Sequence, residues 1–314
     1  MEKNIVKLRP EFRERIWGGE KIKTEFNGDT TIDPVGEMWV VAPFENNGDN
    51  VIEDLGITLS TLYKQQPDWF NCDTPIVPIR CTIIDPLSDL SVQVHPQEAY
   101  AQHHDQSMGK PEAWYIIDCK EDSKILFGHS AKSKQELRDM VSDKLWKELL
   151  TYIDAKKEGF LMVEAGDVHA LGKDVLCFEI SRAADLTYRL YDYDRLDKKT
   201  GQLRELHIEK SLDVINVPHY GDGVIMGDVI EKNGHTLTRY IDAPGKFTML
   251  KINNHQESQF EFDRFYFLTV IKGEGSVDDM VLQKGDTVLV PQGFKAITIK
   301  GDAEFIVSSY RNKV

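Results

Sequence analysis

The sequence predicts a mainly β protein built as two β-barrels, with a helical insertion in the first. Three observations carry that expectation. From about residue 160 the chain is a succession of short apolar runs punctuated by glycine turns, as in "FYFLTVIKGEGSV" and "MVLQKGDTVLVPQGFKAITIK". One long stretch, "SKQELRDMVSDKLWKELLTYI", keeps helical spacing instead. Two distant segments, "GFLMVEAGDVHAL" and "GDTVLVPQGFKAI", share the order strand, tight glycine turn, strand, which reads as a weak internal repeat.

In chain order, residues 76–95 and 113–127 carry strand-like runs such as "AWYIIDC" and "SKILFG". Between them, "PQEAYAQHHDQSMGK" predicts a short helix started by Pro96 and followed by a glycine-containing loop. Ser133 and Glu136 form a capping box, and Leu137, Met140, Val141, Leu145, Leu149 and Ile153 then recur at helical intervals. The insertion is therefore expected at about residues 131–158. In the later repeat, Gly285, Pro291 and Gly293 fit the jelly-roll (cupin) pattern G-x5-P-x-G-x-x-H up to its last position, where Ala296 replaces histidine. The earlier copy keeps Gly166 and His169 but has Glu164 in place of the proline. One barrel keeps a ligand-bearing turn, and the other has lost it.

The 314 residues and 41% apolar share supply ample material for a core. A formal net charge of -14 argues against nucleic acid and anionic membrane surfaces as partners. An anionic metabolite needs a pocket that gathers positive charge locally, so arginine and lysine in a cleft carry extra meaning. The four cysteines, Cys72, Cys81, Cys119 and Cys177, show no CxxC spacing and are expected as reduced thiols. "MEKNIVKLRPEFRERIWGG" has no apolar leader core, and the expected location is cytoplasmic.

The chemistry concentrates in "LSVQVHP". There Ser91, Gln93 and His95 share one face of a strand, Val92 and Val94 the other, and Pro96 ends it. Gln93 and His95 are thus within reach of one ion. Glu112 follows in "GKPEAWYII", and His169 comes from the "GDVH" turn. Two imidazoles and a carboxylate match a zinc site that keeps a position open. A neutral amide as a further ligand leaves net positive charge, which favours a Lewis-acid role toward a sugar carbonyl or hydroxyl. Taken singly, a Q-x-H pair is more often a satisfied polar pair, and the arginines of "YRLYDYDR" read as surface ion pairs. His103 and His104 read as solvated, while His129, His207, His219, His235 and His255 show no partner in sequence.

"LSVQVHP", "GKPEAWYII", "GDVHALG", "DLTYRLYDYDR" and "RELHIEK", in this order and with "ERIWGGEKI" before them, resemble the short bacterial type I mannose-6-phosphate isomerases. The match is close over residues 10–215 and looser, though still cupin-like, beyond. The resemblance implies an aldose–ketose isomerase with one Zn2+, interconverting mannose 6-phosphate and fructose 6-phosphate through an enediol. It places the zinc ligands at Gln93, His95, Glu112 and His169, and puts Lys110, Glu179 and Arg189 in the active site. Ser91 and Arg195 fall where the substrate phosphate would lie, with Trp17 at the pocket edge. Glu179 and Lys110 both remain candidates for the proton carrier. The expected domains are residues 1–215, catalytic, and 216–314, without metal ligands; the expected assembly is a monomer or homodimer.

The sequence departs from the family text at three places. Thr82 stands where a phosphate-assisting lysine is usual, with Arg80 two residues earlier on the same face. "APFENNGDN" follows "GEMWVV" where a small-residue and histidine segment is usual. "SRAADLTYR" adds Arg182. Thr82 motivates the competing expectation of an isomerase for another aldose or aldose phosphate, and loss of catalysis would leave a sugar-binding cupin. An iron-type cupin dioxygenase fits poorly with an amide ligand.

Overall fold

The computed structural model of the chain describes residues 2–219, 221–294 and 296–312 and is mainly β with few helices. Two compact units are each discontinuous in sequence: Glu14–Gly19 with Ile84–Ile225, and Met1–Arg13 with Glu20–Ile83 and Met226–Val314. This division differs from the contiguous 1–215 and 216–314 expected. Residues 20–83 pack with the C-terminal strands, an association that only long-range contact defines.

In the unit of residues 14–19 and 84–225, one sheet runs in the order Leu150–Asp154, Lys124–His129, His169–Leu171, Val92–Val94, Tyr188–Tyr191. A second layer sets Glu112–Cys119 antiparallel between Phe160–Val163 and Val175–Arg182. The alternation seen in the sequence sorts Val92 and Val94 into a core with Trp114, Ile116, Leu126, Leu161, Val163 and Leu190. Each such side chain contributes about 1.5–3 kcal/mol by leaving water. The polar residues between them are left on the opposite face, where the site forms.

A helix at Glu98–Asp105 follows Pro96, as expected. The stretch 133–153, expected to be helical in pattern throughout, is helical only in part. Ser133 accepts from the Glu136 amide and starts a helix at Lys134–Ser142, but Glu136 bonds the Lys132 amide rather than that of Ser133. The chain then breaks at Lys144, in the left-handed region with φ 57°. A single turn, Trp146–Leu149, leads into the strand Leu150–Asp154. That strand pairs with Lys124–His129, so Ile153 is a strand residue opposite Ile125. Sheet pairing overrides the helical period here.

In the other unit, a sheet runs in the order Val6–Leu8, Thr287–Val290, Tyr266–Val277, Ala303–Tyr310, Phe247–Asn254, His235–Asp242, Asp228–Lys232. Its core holds Leu268, Val270, Val288, Phe305 and Val307. The turn glycines of the sequence repeat are there for their backbone: Gly166, Gly285 and Gly293 have φ of 97°, 97° and 82°. Ala296 is exposed. Among the described residues all four cysteines are free thiols, and no helix is long and apolar enough to cross a membrane.

Candidate active site and metal centre

Strand pairing within the unit of residues 14–19 and 84–225 brings the expected ligands together. Gln93 lies directly opposite His169 in the antiparallel pairing, and the Gly166 amide donates to the His95 carbonyl at 2.8 Å, tying the "GDVH" turn to the end of the neighbouring strand. Glu112 begins the strand of the second layer and faces Ser181 across it. His95, Glu112 and His169 are buried, and their ligating atoms lie within 4.8 Å of one another.

Each imidazole is held in one tautomer. His95 Nδ1 donates to the Leu186 carbonyl at 2.9 Å, and His169 Nδ1 donates to the Asp167 carbonyl at 2.8 Å. Both Nε2 lone pairs therefore point inward, the arrangement that metal-binding histidines adopt. His95 Nε2 is 3.0 Å from Glu112 Oε2, and His169 Nε2 is 3.5 Å from Oε1. Glu112 Oε1 is buried without a hydrogen-bond partner. Electron-pair donors thus face one another across a small space, which a cation resolves. The Gln93 amide reaches the same point, 3.3 Å from His169 Nε2, and rotation of its terminal amide would present oxygen there.

Burial, reinforced by the Lys110 ammonium, pushes the His95 imidazole down to about 3, so it is neutral at physiological pH. Burial alone would raise Glu112, but Lys110 and His95 outweigh it and hold the carboxyl well below its usual range. Lys110 Nζ donates to Glu112 Oε2 at 2.6 Å, stands 3.2 Å from His95 Nε2, and is 3.7 Å from Glu179 Oε1. Ser181 Oγ also donates to Glu179, at 3.3 Å. Lys110 and Glu179 are both buried, and the two candidate proton carriers are adjacent.

Arg189 pairs opposite Gln93, and its Nε donates to Ser91 Oγ at 3.3 Å. Its pKa is lowered by burial and by the neighbouring Arg204 and Arg195. Arg195 is held by Asp192, by the Asp89 carbonyl and by stacking on Tyr193. Trp17 is 4% exposed and packs with Ile84 and Leu90. Arg182 points to Met108 and Glu98. Thr82 and Arg80 belong to the other unit, where Arg80 stacks on Trp39.

The segment Arg204–His207, inside "RELHIEK", takes part through contacts that no local pattern signals. His207 is partnered after all: its Nδ1 accepts from the Arg189 amide at 3.1 Å, and its own amide donates to the Arg189 carbonyl at 2.7 Å. The Glu205 carbonyl accepts from Arg189 Nη1 at 2.7 Å. Arg204 forks onto Asp192. His129 bonds the Asn216 carbonyl, His219 lies near Asp167, and His255 lies near Asp302, so these too have partners.

The chain is similar to known proteins over nearly its whole length. Residues 236–310 match the family model "Mannose-6-phosphate isomerase, cupin domain". Over 312 residues the chain is 38% identical to mannose-6-phosphate isomerase ManA of Bacillus subtilis (strain 168), covering 96% of this chain and 97% of that one. It is 34% identical over 310 residues to the mannose-6-phosphate isomerase of Streptococcus mutans serotype c, covering 96% of each. The crystal structure of the mannose 6-phosphate isomerase from Bacillus subtilis superposes with a TM-score of 0.92 at 34% identity, over 98% of this chain and 99% of that one.

Proposed function

This chain is a member of the mannose-6-phosphate isomerase family with its cupin fold, and on that premise we propose that it interconverts mannose 6-phosphate and fructose 6-phosphate using one zinc ion. The observation that carries the metal is the donor set itself. Two carbonyl-locked imidazoles and a buried carboxylate with an unsatisfied oxygen converge with an amide beside them. His95, Glu112, His169 and Gln93 would hold the ion; the histidine-and-carboxylate core suits zinc with a position left open. When bound, it supplies Lewis-acid polarisation of the sugar oxygens at C1 and C2.

The chain's own groups do the rest. Aldose–ketose exchange moves a proton between C1 and C2 through an enediol, which requires a proton carrier and a counter-charge for the developing oxyanion. Glu179 and Lys110, 3.7 Å apart and shielded from water, form the carrying pair. Arg189, oriented by Ser91 and the Glu205 carbonyl, supplies the counter-charge. Ser91 and Arg195 meet the phosphate end of the substrate. The catalytic barrel is the unit of residues 14–19 and 84–225, with the helices at Lys134–Ser142 and Trp146–Leu149 inserted into it. On this reading the other unit is a second barrel in a structural role.

The test is a coupled assay with mannose 6-phosphate before and after chelation, with metal content measured in parallel. We expect one zinc per chain, activity lost with chelator and restored by zinc. Full activity in the chelated protein would overturn the metal assignment. Thr82 favours a second reading, an isomerase of free mannose, and equal kcat/KM on mannose and mannose 6-phosphate would select it.

A further inference from the structure

We propose that Asp192 is a positioning residue that clamps Arg195 and Arg204 into a fixed phosphate-recognition end of the site, with Arg204 a specificity residue for phosphorylated over free sugar. This rests on the isomerase reading above and extends it to residues outside the ligand and proton-transfer sets.

The first observation is geometric. Asp192 is 4% exposed, and both its oxygens are committed. Oδ1 accepts from Arg195 Nη2 at 2.5 Å and from Arg204 Nη2 at 2.6 Å, while Oδ2 accepts from Arg204 Nε at 2.8 Å. The two-point fork onto Arg204 fixes the guanidinium plane, as a single contact would not. Surface ion pairs contribute little because both partners are mobile and screened. Here the shared carboxylate is buried, and Arg195 is further stacked at 5.2 Å on Tyr193.

The second observation is charge. Arg195 and Arg204 meet on one oxygen of Asp192, and Arg189 Nη1 donates to the carbonyl of Glu205, the residue after Arg204. Against three guanidinia stands one buried carboxylate, and the Glu205 side chain is 83% exposed. On a chain of net charge -14 such a concentration of positive charge is placed, not incidental. It suits a phosphate dianion. Arg195 Nε is buried without a protein partner, leaving a donor for an incoming anion.

The third observation is position. Ser91 precedes Gln93 by two residues on one strand face, a step of about 7 Å. Ser91 holds Arg189, and Arg189 leads through Arg204–His207 to Asp192. The cluster therefore extends from the metal-ligand strand in the way a hexose extends from its reacting carbons to its phosphate.

Asp192→Asn separates positioning from simple attraction. It preserves shape but raises the local net charge by one, so attraction alone predicts tighter phosphate binding. Positioning predicts the reverse: KM for mannose 6-phosphate rising about ten-fold, with a smaller change in kcat, and the preference for mannose 6-phosphate over mannose falling by a similar factor. Asp192→Glu should recover part of the loss. Arg204→Lys, which keeps charge but removes the fork, should reproduce the KM effect and covers the case in which the asparagine variant does not fold. Unchanged or lower KM in the folded variants overturns the proposal, as does an equal loss on both sugars. Wild-type protein inactive on either sugar would sink the isomerase reading instead. Calorimetric binding of mannose 6-phosphate to wild type and Asp192→Asn would then decide the clamp: weaker binding by the variant supports it, and equal or tighter binding overturns it.

Discussion

Replacing Lys110 with methionine should destabilise the metal-free protein far more than the zinc-loaded one. Lys110 Nζ sits 2.6 Å from Glu112 Oε2, with side chains 4% and 0% exposed. Removing one member of a buried ion pair leaves the other charged and desolvated, typically at a cost of about 3–5 kcal/mol. The lower end applies here, because His95 Nε2 at 3.0 Å from the same oxygen can share a proton taken up by Glu112. About 3 kcal/mol corresponds to a fall in Tm of roughly 6–12 °C for the unit concerned. With zinc bound, the cation compensates Glu112, and most of that penalty disappears. Scanning calorimetry of wild type and Lys110→Met, each with chelator and with excess zinc, reads this directly. The zinc-induced rise in Tm should be larger in the variant, since bound ligand stabilises by linkage and the variant starts lower. An equal Tm loss with and without zinc would refute the reasoning, showing that the ion does not reach Glu112.

Two further outcomes test the scaffold. Gly172→Ala should lose about 2–3 kcal/mol in denaturant unfolding, because the new Cβ would lie 1.9 Å from the Lys124 carbonyl oxygen and the backbone must shift; a wild-type midpoint would contradict the packing at the end of the His169–Leu171 strand. In the other unit, Glu304 accepts from Lys272 at 2.7 Å and from Lys251 at 3.4 Å, which together hold its carboxyl below the usual value against the opposing effect of burial. A depressed carboxyl contributes stability above its unfolded pKa of about 4.3 and loses it as pH falls through the folded value. The stability gap between wild type and Glu304→Gln should accordingly be full near neutrality and close in acid, and a gap that widened in acid would reverse the sign.

The parts of the site legible in the sequence were those set by short-range geometry. Period-two alternation is enough to put Gln93 and His95 on one face, and a φ of 97° is enough to require glycine at position 166. What escaped depends on the chain returning from a distance. Nothing local to "RELH" says that its backbone brackets Arg189, or that Arg204 and Arg195 share one carboxylate. The helix expected through Ile153 stops short for a related reason: Leu149 is helical, but Ile153, though it satisfies the same period, pairs with Ile125 on a neighbouring strand. Likewise, nothing local to "ERIWGGEKI" says that Trp17 packs with Ile84 and Leu90, some seventy residues on.

The Asp192 clamp has a consequence for how the protein tolerates change. Arg195 and Arg204 are the two stems of an excursion whose tip closes on itself: the Asp197 amide donates to the Gln202 carbonyl at 2.8 Å, and the Gly201 amide to the Asp197 carbonyl at 2.7 Å. Leu196 and Leu203 pair across its base with 61% and 58% of their surface in water. One buried carboxylate fixes both stems, and outside the excursion the tip is tied down by the exposed Lys199–Glu14 ion pair. An exposed tip on clamped stems is the natural place to graft a label or a foreign peptide onto this chain, since a change there need not pull on Arg195 or Arg204.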